Sequence, residues 1–186
     1  YQTFFFDVPV TAALGVIGTR FRLTSVSSPG PVGASGSGEV EDYTTSITVN
    51  TDFGDYAPFP SASSKVNSNL RIGALTDSEG GPVTDADATG DDLNGSDDED
   101  GVSIPASIEQ GAATSLTVNL TNTSGSTTYL NVWIDFNRNG VLTDSGEQVA
   151  TNTTISNNTT NSNRVVNFTT PVTAPLGDTA VRVRLT

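Results

Sequence analysis

Residues 163–186 read NRVVNFTTPVTAPLGDTAVRVRLT, and residues 1–24 read YQTFFFDVPVTAALGVIGTRFRLT. Laid with residue 163 on residue 1, an offset of 162, the two need no gap. Phe6/Phe168, Pro9/Pro171, Leu14/Leu176, Gly15/Gly177, Arg20/Arg182, Arg22/Arg184 and Leu23/Leu185 are identical. Such self-similarity predicts one period of a longer tandem array, cut inside its folded units. The copies also decide the fold class. Val181, Val183 and Leu185 alternate with Arg182 and Arg184, as Phe21 and Leu23 alternate with Arg20 and Arg22. Strict alternation places the apolar residues on one face of a strand and the arginines on the other.

The same period runs through the rest of the chain. Leu116, Val118 and Leu120 alternate with Thr and Asn. Leu130, Val132, Ile134 and Phe136 share one face of the next strand, with Tyr129, Asn131, Trp133 and Asp135 on the other. Residues 40–49 form a further strand, and LRIGAL (70–75) a short one. The tract ATNTTISNNTTNSN (150–163) reads as a polar loop or edge. No 3.6-residue stripe competes. Short strands separated by Gly, Pro, Asn and Ser turns predict an all-β, antiparallel, jelly-roll-like sandwich.

Composition narrows the chemistry. The formal net charge is −13, and the hydrophobic fraction is 34%. Ten of the 21 acidic residues fall between Asp77 and Asp100, and no Lys or Arg occurs from Ile72 to Asn137. That field repels nucleic acid and anionic membranes and suits divalent cations. With neither Cys nor His, disulfides, thiolate metal sites and a Ser-His-Asp triad are excluded. The lack of Met as well suits a long-lived extracellular protein. No apolar run approaches the ~20 residues that span a bilayer, so no membrane insertion is expected in this segment.

Two loops have calcium spacing. Asp135, Asn137 and Asn139 place oxygens at positions 1, 3 and 5, Gly140 permits the bend, and Val141 supplies a carbonyl at 7. Beyond that the pattern leaves the EF-hand form, with acids at Asp144 and Glu147. The alternative is a turn whose Asp and Asn side chains satisfy their own backbone. The second loop offers Asp85, Asp87 and Thr89, then Gly90 and Asp92, inside an acidic connector that is otherwise simply solvated. In GSGEVEDY (36–43), alternation puts Glu39 and Glu41 on one face, where they would oppose Arg20 and Arg22 on an antiparallel neighbour. A sharper alternative sends Glu41 or Asp42 to a calcium loop. Tyr129 and Trp133, on one face, could stack on a sugar, or Trp133 could cover a second face of the sandwich. Asn-X-Thr/Ser sequons begin at Asn94, Asn119, Asn122, Asn152, Asn157, Asn158 and Asn167.

Together, DDEDGV (97–102), YLNVWIDFNRNGVLTDSGEQV (129–149), the repeated RFRL/RVRL strand and GEVEDYTTSI (38–47) resemble the GEVED domain of bacterial secreted and cell-surface proteins. The family's motif order, with GEVEDY last, divides this chain into the tail of one repeat (1–49), a connector (50–96) and the head of the next (97–186). The resemblance implies a β-sandwich in multi-repeat surface proteins, generally without enzymatic activity. The expectation is a non-catalytic structural module of an extracellular fibre, filament or adhesin stalk, stiffened by calcium. Neighbouring copies would be joined head to tail by strand complementation. The alternative is a surface-glycan-binding module using Trp133 and Tyr129.

Overall fold

A computed structural model describes residues 3–9, 11–48, 50–76, 78–79, 81–90 and 99–186. Every pairing between strands among them is antiparallel, Tyr56 and Asp85 form one isolated parallel bridge, and they contain no α-helix. Contacts divide the chain into two compact units, residues 1–49 and 50–186.

The first unit is a hairpin of β1 (Gly15–Thr24) and β2 (Gly38–Ile47), running from Gly15↔Ile47 to Thr24↔Gly38. Its Pro/Gly/Ser loop is tied down by the strand's arginines. Arg20 Nη1 donates to Pro31 O at 2.9 Å, and Arg22 Nη2 donates to Gly33 O at 2.8 Å and to Ser35 Oγ at 2.7 Å. The register corrects the expected ion pairs. Arg20 opposes Asp42 and Arg22 opposes Val40, while Glu41 and Glu39 oppose Phe21 and Leu23. Arg20 grips Asp42 with two bonds, Nε to Oδ1 at 2.6 Å and Nη2 to Oδ2 at 2.7 Å. A one-residue slip exchanges the faces of a strand, and the 13-residue loop from Ser25 to Ser37 sets that slip. Phe21 and Leu23, expected inward, are 49% and 76% exposed.

The second unit holds β3 (Thr51–Phe53), β4 (Ser63–Lys65), β5 (Leu70–Ile72), β6 (Val102–Ser103), β7 (Ala113–Asn122), β8 (Thr128–Ile134), β9 (Gln148–Ile155), β10 (Thr159–Thr169) and β11 (Val181–Leu185). One sheet has the order β10-β7-β5, with β6 also on β7, and another has the order β11-β8-β9. Strands β3 and β4 pair with each other. Leu116, Val118, Leu120, Val166 and Phe168 from the first sheet meet Leu130, Val132, Ile134 and Ile155 from the second in one buried cluster, joined by Phe136. Val181, Val183 and Leu185 pack against it. The inward alternation read from β7, β8 and β11 therefore holds.

One reading holds and one changes. The polar tract 150–163, read as a polar loop or edge, is mostly β9 and β10, consecutive strands of different sheets that each lie at a sheet edge. Thr-rich segments fit a pleated edge, and Ile155 supplies the apolar anchor, fully buried. The stretch read as a connector contributes to the body: Gly73 N donates to Asn119 O, Ala74 N to the Asp100 carboxylate, and Phe59 is buried. Residues 91–98, including Asp92 and the first two residues of the DDEDGV motif, lie outside the described residues.

Buried amides knit the strand ends. Asn122, fully buried, donates to Ser126 O at 2.9 Å and Ile155 O at 3.1 Å, and its Oδ1 accepts from Ser124 N and Oγ. Asn131 faces the irregular register of β8 on β9 and accepts from Asn152 N at 2.8 Å and Gln148 Nε2 at 3.1 Å. Asn122→Ala strands the buried Ile155 carbonyl and removes the bonds to Ser124 and Ser126, and should cost about 1–3 kcal/mol in denaturant unfolding. A change below about 0.5 kcal/mol, the range of ordinary surface substitutions, would contradict this role.

Candidate functional site

Asp135 leaves β8 at the point where the strand ends, and Glu147 precedes β9, so the sheet itself brings the ends of the 135–147 loop together. Ile134 N donates to Glu147 O at 2.9 Å, and Asp135 N donates to Ala180 O at 3.1 Å. Asp135 is buried, and its two carboxylate oxygens accept from Asn139 N (3.1 Å) and Gly140 N (2.8 Å). Asn137 Oδ1 accepts from Asn139 N at 3.1 Å, and Asn139 Oδ1 from Val141 N at 2.7 Å. Gly140 sits at φ 77°, and a Cβ there would lie 2.7 Å from Pro58 O. The 1-3-5-6 spacing thus folds the chain around one centre, as a calcium loop does.

The later acids close that centre. Asp144 Oδ2 accepts from Asn137 Nδ2 (2.7 Å) and Asn139 Nδ2 (2.8 Å), and these bonds hold its pKa below the ordinary carboxylate value. Glu147 is only 2% exposed. Its Oε1 accepts from Asn137 N at 3.3 Å, while Oε2 is buried with no hydrogen-bond partner. Burial pushes the Glu147 pKa up, and the negative charges of Asp135 and Asp144 push it the same way, against the lowering pull of the Asn137 and Phe136 backbone amides. A self-satisfied turn accounts for Asp135, Asn137 and Asn139 but not for Glu147. Among the described residues, no three His, Cys, Asp or Glu side chains are close enough to hold a metal ion by themselves. A cation here would need the side-chain amides and the Val141 carbonyl alongside the three carboxylates. The donor set is wholly oxygen, which fits a hard cation such as Ca²⁺. A cleft of about 210 Å³ opens beside the loop, lined by Asp135, Asn139, Gly140, Tyr56 and Pro58.

This stretch also answers to a known family. Residues 129–186 match the family model described as the GEVED domain. Residues 129–186 are a GEVED domain. No curated protein matches the chain. The GEVED segment runs from β8 through the acidic loop, β9 and β10 to β11, so it contains every residue of the 135–147 centre.

The other candidates are placed differently. Asp85 spends both oxygens locally, Oδ1 accepting from Asp87 N (2.9 Å) and Thr89 N (3.0 Å) and Oδ2 from Thr89 Oγ1 (2.9 Å). The Asp87 side chain is exposed, and Asp92 lies outside the described residues. That segment is an Asx turn. On the GEVED strand β11, Arg182 donates to Pro60 O at 2.5 Å and lies 5.0 Å from the centroid of the Phe59 ring, and Arg184 donates to Ser63 O at 3.1 Å. The aromatic DFGDYAPFP stretch is thus a cover for the arginine face, a role that local periodicity could not signal. Trp133 is half-buried between Gln148 of β9 and Arg182 of β11, and the exposed Tyr129 lies four residues, about 13 Å, along the strand.

Proposed function

We propose that this chain is a structural module of an extracellular fibre, filament or adhesin stalk. The module is non-catalytic, built of jelly-roll-like β-sandwich repeats, joined head to tail to neighbouring copies and stiffened by Ca²⁺ in the 135–147 loop. The repeat of residues 1–24 at 163–186 supports an array of like units. The observation that carries the calcium element is Glu147, a buried carboxylate oxygen without a partner, facing two further carboxylates. Asp135, Asn137, Asn139, Asp144 and Glu147 would hold the ion through side chains, and Val141 through its carbonyl. Bound there, Ca²⁺ would cancel the mutual repulsion of the acids and lock β8 to β9 at the loop end of the sheet.

Thermal unfolding with Ca²⁺ and with chelator tests this, alongside electron micrographs of the same samples. Ca²⁺ at about 100 times its Kd adds roughly 2.7 kcal/mol, which for a chain of this size raises Tm on the order of 5–10 °C. Equal melting in both buffers would remove the calcium element. Glycan arrays comparing the parent chain with Trp133→Ala should show no difference.

A further inference from the structure

We propose that the 135–147 loop is a clamp on the connector: an ion held in it fixes residues 54–60 and, through them, the 83–90 turn. Calcium then stiffens the stretch that the array reading places between repeats, and not the sandwich alone. The inference rests on the calcium reading above and deepens it by naming what the ion controls.

Connector and loop meet backbone to backbone. At Gly140 a Cβ would lie 2.7 Å from Pro58 O, too close for any side chain, so the approach depends on a glycine there. Tyr56 and Pro58 line the same cleft of about 210 Å³ as Asp135, Asn139 and Gly140. From that cleft the contacts continue into the connector. Tyr56 packs edge-on against Phe59, with ring centroids 4.8 Å apart. Ala57 N donates to Asp85 O at 2.7 Å, and Asp85 N donates to Asp55 O at 2.9 Å. Those two bonds tie residues 54–60 to the turn in which the Asp85 side chain accepts from Asp87 N and Thr89 N.

The segment has little of its own to hold this shape. Strands β3 and β4 are three residues each and pair with each other, and a lone two-stranded hairpin is marginal in water. Residues 54–60 dock instead on Arg182 of β11, which bonds Pro60 O and lies over the Phe59 ring, and on Gly140 of the loop. The first anchor is fixed by the sheet. The second depends on the loop's centre, because Gly140 N donates to Asp135 Oδ2 at 2.8 Å. Asp135 shares that centre with Asp144 and with Glu147, whose Oε2 is buried without a hydrogen-bond partner. Without a cation the three carboxylates repel one another, and a displaced Asp135 takes Gly140 away from Pro58. With a cation the turn at Gly140 is held and Pro58 keeps its seat.

Hydrogen exchange of the parent chain in Ca²⁺ and in chelator, read by mass spectrometry, tests the clamp. Amides of residues 54–60 and 83–90 should exchange at least tenfold more slowly in Ca²⁺. Coupling between two sites is reciprocal, so loosening the connector must also weaken the loop's hold on the ion. Phe59 packs on Tyr56 and Arg182 and does not line the cleft. Phe59→Ala should therefore bind Ca²⁺ at least fivefold more weakly in calorimetric titration, with Trp133 fluorescence confirming that the sheets are folded. Should that variant not fold, the exchange measurement decides alone. Exchange at 54–60 that is equal in both buffers, or a folded Phe59→Ala chain with the parent's affinity, would overturn the clamp. If Ca²⁺ still raises the melting temperature in either case, the calcium module stands and only this inference fails. Equal melting in both buffers removes the calcium reading, and the clamp with it.

Discussion

Glu147→Gln should raise the melting temperature in chelator and abolish the rise that Ca²⁺ produces in the parent chain. Both effects have one origin. The Glu147 side chain is buried, one of its oxygens has no partner, and two other carboxylates bear on it. An ionised carboxylate in that setting is destabilising without a cation, and an amide of nearly the same shape removes the charge. The gain in chelator should be on the order of 1–3 kcal/mol, the usual cost of an unsatisfied buried group. The amide also deletes a charged oxygen ligand, so the calcium response should disappear. A structural role alone would not couple these two signs. Melting that falls in chelator, or a calcium response of undiminished size, would show that Glu147 is not a ligand.

The largest loss of stability is expected from Leu120→Ala. Leu120 is fully buried on β7, opposite Ile72 of β5 and Ser162 of β10, in the cluster shared by the β7 and β8 sheets of the second unit. Removing its branched side chain forfeits transfer energy and leaves a cavity that three strands cannot close, a cost of about 3–5 kcal/mol. Leu176→Ala is the matched control: that leucine is 81% exposed and should change stability by less than about 0.5 kcal/mol. Denaturant unfolding followed through Trp133, the single Trp, reads both. Comparable midpoints for the two variants would mean that the core is not where the burial places it.

Much of the second unit was legible because its central strands alternate cleanly. Leu116, Val118 and Leu120 on β7, and Leu130, Val132 and Ile134 on β8, need only the two-residue pleat to be assigned inward. The 135–147 loop was equally legible, since its spacing acts over a few residues. What escaped depends on distance. The β1–β2 register turns on a loop that fixes itself through Arg20 and Arg22, and a slip of one residue exchanged Asp42 for Glu41 opposite Arg20. Strands β9 and β10 were legible only as a polar loop or edge, because edge strands are built from Thr and Asn and bury little. Asn131 gave no local signal, because its bonds come from Gln148 and Asn152 of β9; Asn122 bonds Ser124 and Ser126 of its own turn, and only its bond to Ile155 O depends on another strand. Phe59 and Arg182 find each other across more than 120 residues, beyond the reach of any periodicity.

The closed environment of Asn122 bears on how this chain could be made. It begins an Asn-Thr-Ser acceptor triplet, yet both protons of its amide are committed to carbonyls, and no surface remains for a carbohydrate. An oligosaccharide on that nitrogen and the folded second unit exclude each other. In a host that modifies such triplets during translocation, transfer at Asn122 would divert the nascent chain to quality control. The exposed Asn158 on the β9–β10 turn could carry sugar without touching the core.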